Sequence, residues 1–435
     1  MRVARLLSIF IVALMLGTKS FAQDHLSWED QIDFSGGMDT ARSVTLSGNT
    51  AVVAGVATVR RGLDFVVRGY DVRSGAVSWT DQTAAFSGLS TAVFVTSAGS
   101  NVFAAGYTPS TVCCTDIFVR AYDARTGDVL WDDIFDKGGD DLPQGIAASP
   151  NVVAVVGYGG NTTTPFVDFL VRAYDAATGS VLWEDQVDTG RFVDDAAWAV
   201  AIEGNRVFVA GTTSTLSGHD MILRVYEATT GALIWQLRRP GTFPMSVAAS
   251  SGRVFVAGIT DDLTFFLGAY SAVSGDVRWE DTTGSGFFVD VKLQGRRVVA
   301  VGPMLGNGSL VRVYDAHTGV IDWEDSTSPP PGFSELFSAV DVSNKAVYVA
   351  GGTGADFLHS EFLVRAYDLA SGALILEDRS HSSSDSLAAA IVAGKHRVVA
   401  VGWDSNVSNP FDLNFLVRDY DVKDIEAPGL VKKKK

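Results

Sequence analysis

The chain has 435 residues, a formal net charge of −16, 47% hydrophobic and 19% charged residues, 44 glycines and 12 prolines. Such acidity excludes a nucleic-acid partner, which needs a basic surface, and argues against docking on anionic lipid. The hydrophobic fraction excludes disorder, and the glycine count points to many short strands and turns.

From the N-terminus, Arg2 and Arg5 precede an apolar stretch from Leu6 to Leu16, and Ser20-Phe21-Ala22 offers small residues before a cut. Residues 1–22 are therefore expected to be a signal peptide that sends the chain to the periplasm or the extracellular space. No cysteine follows the apolar run, so no lipid anchor is expected, and no later segment has the length and apolarity of a membrane span. Cys113 and Cys114 are the only cysteines.

One segment then recurs along the chain. Its tryptophan stands at Trp28, Trp79, Trp131, Trp183, Trp235, Trp279 and Trp323, with Leu376 in the next equivalent place. The spacing of about fifty residues marks a repeat architecture, which overrides any estimate of domain number from length. In the unit ending at Trp235, residues 196–203, 206–211, 221–227 and 232–237 read as four strands cut by Gly204-Asn205 and Thr230-Gly231 turns. No helix is expected after residue 22.

Four strands repeated eight times predict an all-β fold: an eight-bladed β-propeller of four-stranded antiparallel blades. The last unit supplies a third strand, residues 413–421, but no fourth. The chain begins with an isolated fourth strand around Trp28. Pairing the N- and C-terminal strands closes the ring and removes exposed edges. The expected organisation is one propeller over 23–425 and a basic C-terminal tail at 426–435, whose Lys432–Lys435 read as solvated charge.

The repeated motif is clearest at Ala121-Tyr-Asp123-Ala-Arg-Thr126-Gly127-Asp-Val-Leu-Trp131 and Ala173-Tyr-Asp175-Ala-Ala-Thr178-Gly179-Ser-Val-Leu-Trp183. It resembles the tryptophan-docking motif of the pyrroloquinoline quinone (PQQ) propeller family. That family includes quinone-dependent dehydrogenases and non-enzymatic scaffolds. The resemblance implies that each tryptophan stacks on the next blade's motif. On chemical grounds, Asp71, Asp123, Asp175, Asp315 and Asp368 are expected to accept hydrogen bonds from the Thr-Gly turns. Glu227 and Ser271 replace that aspartate, and Leu376 the tryptophan, so those blades are expected to be held less tightly.

An arginine precedes the motif tyrosine at Arg68, Arg120, Arg172, Arg224, Arg312, Arg365 and Arg418, and Gly268 interrupts the series. Hairpin counting sets Arg172 opposite Trp183, predicting a cation–π contact of about 0.5–1 kcal/mol and a diagonal pair with Asp185. The repeated Trp-Glu-Asp runs, such as Glu184-Asp185, read as solvated charge on outer strands.

Two sets of residues carry candidate chemistry. Asp39, Asp141, Asp195, Glu335 and Asp385 stand at the starts of innermost strands. They would either cap inter-blade loops through backbone N–H groups or ring one mouth as oxygen ligands for Ca²⁺. Cys113 and Cys114 would close a strained vicinal disulfide in an oxidising compartment, or remain thiols. In the PQQ-dependent alcohol dehydrogenases such a disulfide covers the cofactor, so the resemblance makes this pair the candidate quinone contact. The histidines show no metal-ligand spacing, and no catalytic residue is assigned.

The functional expectation is an exported, monomeric, non-enzymatic scaffold that binds a protein or small molecule at a loop face. The alternative is a PQQ-dependent, Ca²⁺-assisted oxidoreductase, and a carbohydrate-binding propeller is a third class.

Overall fold

The computed structural model describes residues 25–426 apart from 61, 84–89, 111–113, 162–163, 189–193, 216–217, 356–359, 381–384 and 407. The expected signal peptide, Cys113 and the tail from 427 onward lie outside the described residues.

The strands form eight four-stranded antiparallel sheets, each built from strands consecutive in sequence except the last. Numbered from the first complete sheet, blades 1 to 7 span 40–83, 91–135, 142–187, 195–239, 242–281, 290–326 and 334–379. Blade 8 joins Ser386–Ala393, Arg397–Asn406 and Asn409–Asp421 to Leu26–Ile32 as its outer strand. The two chain ends pair antiparallel, with Glu29 opposite Arg418 and Ile32 opposite Phe415. The Asp39 N–H also donates to the Leu413 carbonyl at 2.9 Å. The architecture is thus the closed eight-bladed propeller. One helical turn, Lys423–Glu426, follows the last strand where no helix was expected.

Blade 4 shows why these residues fold this way. Its strands are Asp195–Glu203, Arg206–Thr215, Gly218–Glu227 and Leu233–Arg239. Val207 and Val209 pack against blade 3, while Phe208 and Ala210 pack against blade 5. Alternate side chains of one strand therefore enter two different cores, which is why middle strands read as unbroken apolar runs.

Each motif tryptophan closes a junction. Trp183 stacks on Tyr226 of the next blade at 5.2 Å and donates its indole N–H to the Ala228 carbonyl at 2.8 Å. Trp28, Trp79, Trp131, Trp235, Trp279 and Trp323 donate to the carbonyl at the same position of their following blades. The motif glycine is needed twice over. Gly179 has φ of 73°, and a Cβ there would meet the Trp131 ring at 2.6 Å. Asp175 Oδ1 accepts the Ala177 and Thr178 N–H groups and the Thr178 hydroxyl. Asp71, Asp123, Asp315 and Asp368 make the same set of contacts.

The structure corrects two expectations about charge. Arg172 faces Glu184, not Trp183, because a bulge between Ala173 and Tyr174 advances the outer strand by one residue. Its guanidinium lies over Phe135 and Tyr174 and pairs with Glu184 and with Asp133 of the preceding blade. The Asp of the Trp-Glu-Asp run is likewise not solvated edge charge. Asp185 Oδ2 accepts the Tyr226 hydroxyl at 2.8 Å and Arg224 Nη2 at 3.0 Å, both from the next blade. Burial raises the Tyr226 pKa, so its hydroxyl stays protonated and donates. Asp81, Asp133, Asp281 and Asp378 repeat this clamp.

Candidate functional site

The connections into the inner strands share one face with the loops between second and third strands, and the five acidic candidates lie there at separate blade junctions. Asp39 is fully buried, and its two oxygens accept the Thr58 and Phe34 N–H groups at 2.5 and 2.7 Å. Burial raises its pKa, and those two hydrogen bonds pull it back. Asp141 accepts the Lys137 and Gly160 N–H groups at 2.6 and 3.0 Å. Its carboxyl is pushed up to about 7, chiefly by burial, with Asp116 and Asp136 adding like charge.

The other three differ in environment. Asp195 is buried at the start of blade 4. Glu335 forms a two-pronged ion pair with Arg365 at 2.7 and 2.9 Å, where both side chains are almost wholly buried. Asp385 accepts the Ser360 hydroxyl and is half-buried. The sequence singled out both residues, Arg365 as a recurring strand position and Glu335 as a loop cap or oxygen ligand, and their pairing is the unforeseen element. Among the described residues, one group of three potential metal ligands converges, Asp116, Asp136 and Asp141. Only Asp141 belongs to the five.

Two clefts accompany these groups. On the face of the acidic candidates, a cleft of about 110 Å³ between blades 7 and 8 is lined by Leu336, Thr353, Ser360, Asp385, Leu387 and Trp403 among others. Trp403 lies outside the repeated motif, so the repeat gave no signal for it. On the opposite face, a cleft of about 380 Å³ is lined by Ser251, Gly252, Arg253, Arg278 and His317. Cys114 is exposed with φ of 72° and directly precedes the strand Thr115–Asp123.

The rim carries a further regularity. The two residues before the motif tryptophan position are exposed in several blades: Val129 and Leu130 at 47% and 45%, Leu233 and Ile234 at 44% and 41%, and Leu374 and Ile375 at 52% and 37%. The outer-strand bulge that advances the register occurs at this place and leaves both side chains outside the blade core. No helix among the described residues is long and apolar enough to cross a membrane.

Residues 115–221 and 219–412 match the family model described as outer membrane protein assembly factor BamB. Among solved structures, the computationally designed Ika8 protein is similar, with a TM-score of 0.60 and 15% identity over 91% of this chain and 100% of that chain. A europium-containing methanol dehydrogenase has a TM-score of 0.56 and 9% identity over 91% and 93%. BamB from Moraxella catarrhalis has a TM-score of 0.49 and 15% identity over 91% and 98%. No curated protein matches the chain.

Proposed function

The chain belongs to the PQQ-like propeller family described as outer membrane protein assembly factor BamB, and from that premise we propose that it is an exported, non-enzymatic scaffold holding a protein partner on its rim. The carrying observation is the recurrence of exposed apolar pairs on outer strands of a chain with net charge −16. Exposed apolar surface that repeats in register favours association over solvation. The outer strands also present an edge to which an extended partner segment can add backbone hydrogen bonds, with its apolar side chains set against the pairs. The charged n-region and apolar stretch before Ala22 support export.

The test replaces Leu130 and its blade 3 equivalent Leu182, which is 38% exposed, with aspartate. Exposed positions of this kind change stability by about 0.5 kcal/mol or less, so melting stays near that of the parent. Site-specific photo-crosslinks from Val129 to its partner in intact cells are lost. Crosslinks that survive the substitutions would remove the rim from the reading. Dye reduction by the purified chain on addition of PQQ and Ca²⁺ would remove its non-enzymatic half.

A further inference from the structure

The junction between blades 2 and 3 differs from its equivalents in one buried charge. Four residues before the recurring arginine, blades 1 to 4 place Asp64, Asp116, Asp168 and Asp220 at the same strand position. Three of these meet a side-chain amide or a cation. Asp64 accepts the Gln82 amide at 2.8 Å, Asp168 pairs with Lys137 at 3.3 Å, and Asp220 pairs with Arg238 at 2.7 Å. Gln82 and Arg238 each stand three residues after their blade's tryptophan. In blade 2 that place is Ile134, 44% exposed, which has nothing to donate.

Asp116 is only 5% exposed, and its Oδ1 is buried without a hydrogen-bond partner. Apart from the Ser110 hydroxyl, the charged neighbours it meets are carboxylates. One oxygen each from Asp116, Asp136 and Asp141 lies within 4.8 Å of the other two. Lys137, the cation nearest in sequence, is engaged with Asp168. Burial and the Asp136 charge push the Asp116 carboxyl up to about 6, despite a hydrogen bond from Ser110. Three carboxylates at one partly open point, with no cation paired to them among the described residues, leave their repulsion uncompensated.

We propose that Asp116, Asp136 and Asp141 form a Ca²⁺ site that ties the third strand of blade 2 to the connection entering blade 3. The donors are all oxygens, which selects a hard cation over zinc or copper. Ca²⁺–oxygen distances of about 2.3–2.6 Å allow ligands on one ion to lie up to roughly 5 Å apart, as these do. Asp136 is exposed and gives the ion its entry, while Asp116 and Asp141 are buried. Asp141 keeps its two backbone hydrogen bonds, because each carboxylate oxygen has a second lone pair for the ion. The site is independent of the rim and of any partner held there.

The experiment titrates the EDTA-treated full-length mature chain with CaCl₂ by calorimetry and follows melting with and without the ion. The parent is expected to bind one Ca²⁺ and to melt higher when loaded. Asp116→Asn and Asp136→Asn each lose the heat and the melting shift, and in EDTA melt no lower than the parent, because a repulsion has been removed. Asp195→Asn with Asp385→Asn keeps both responses. Ile134→Arg installs the cation that blade 4 carries at the same place, so it raises melting in EDTA and abolishes the Ca²⁺ response. Absence of Ca²⁺ binding by the parent overturns the proposal. So does binding that persists in Asp116→Asn and Asp136→Asn, or a Ca²⁺ response retained in Ile134→Arg.

Discussion

The junction between blades 3 and 4 and the junction between blades 4 and 5 solve one problem in two ways. In the first, Asp185 receives Arg224 and the Tyr226 hydroxyl across the gap. In the second, the place of Asp185 is taken by Leu237 and the place of Arg224 by Gly268, so both charges are missing together. Leu237 packs against the core shared by blades 4 and 5, and Tyr270 turns its hydroxyl to Glu280 of its own blade at 3.0 Å. A guanidinium arrives by another route: Arg239 of blade 4 pairs with Glu280 and lies over Phe266 at 4.4 Å. The lesson is that the two charges are absent together here, because either alone would be desolvated without its counterion; at the junction of blades 6 and 7, where Arg365 turns to Glu335, Asp325 still accepts the Tyr367 hydroxyl at 2.9 Å.

The same rule accounts for Leu376. A motif tryptophan docks on the Gly turn of the next blade, but blade 8 ends in the helical turn Lys423–Glu426 and has no such turn. Leu376 is buried at 3% within the core shared by blades 7 and 8. The departure at one blade is matched by a departure at its neighbour.

The contrast between the two junctions can be broken most directly at the tryptophans. Trp183→Ala removes a buried ring stacked on Tyr226 and is expected to cost about 3–5 kcal/mol in urea unfolding. Trp235→Ala, at the half-buried equivalent, is expected to cost less, and equal losses would erase the distinction. Next in size, Asp185→Ala leaves Arg224 and the Tyr226 hydroxyl without their acceptor, a loss of about 1–3 kcal/mol.

The converse change sharpens the comparison. Leu237→Asp puts a carboxylate where no guanidinium waits, and it destabilises. Adding Gly268→Arg recovers part of that loss, read as a favourable coupling in a double-mutant cycle. The recovery requires Tyr270 to move, since a Cβ at Gly268 would lie 2.4 Å from its hydroxyl oxygen. Zero coupling would show that the two departures are unrelated.

The smallest effect is in acid. The Thr178 hydroxyl and N–H hold the Asp175 carboxyl below its ordinary value of 3.8. Its contribution is therefore present above that value and is lost as pH falls through the lower folded value. The equivalent turn of blade 5 uses Ser271, whose hydroxyl accepts the Ser274 N–H and does not titrate in this range. Amide exchange compared at pH 5 and pH 3 is expected to accelerate at the Asp175 turn and to leave the Ser271 turn unchanged after correction for the intrinsic rate. Equal acceleration at both would refute the assignment.

Much of this was legible from residues alone. The returning tryptophan and the turn glycines marked eight units, and the incomplete first and last units marked where the ring closes. The clamp was not legible, although every member of it was visible as a repeated residue. Counting along a hairpin assumes one residue opposite one, and the bulge at each outer strand shifts Arg172 from Trp183 to Glu184. Asp116 and Asp136 escaped for a related reason. Their significance lies in a donor missing at Ile134, and an absent partner leaves no motif.

By itself the sequence determined the repeat, the strand alternation and the closing pair of termini, because these follow from local periodicity and from the residue types that turns require. Only the tertiary structure decided which charges meet. Contacts between blades join residues some forty positions apart, as in Asp185 with Tyr226. Whether such a pair forms depends on register, bulges and the shared burial of both groups. Those are properties of two packed sheets, which no single strand contains.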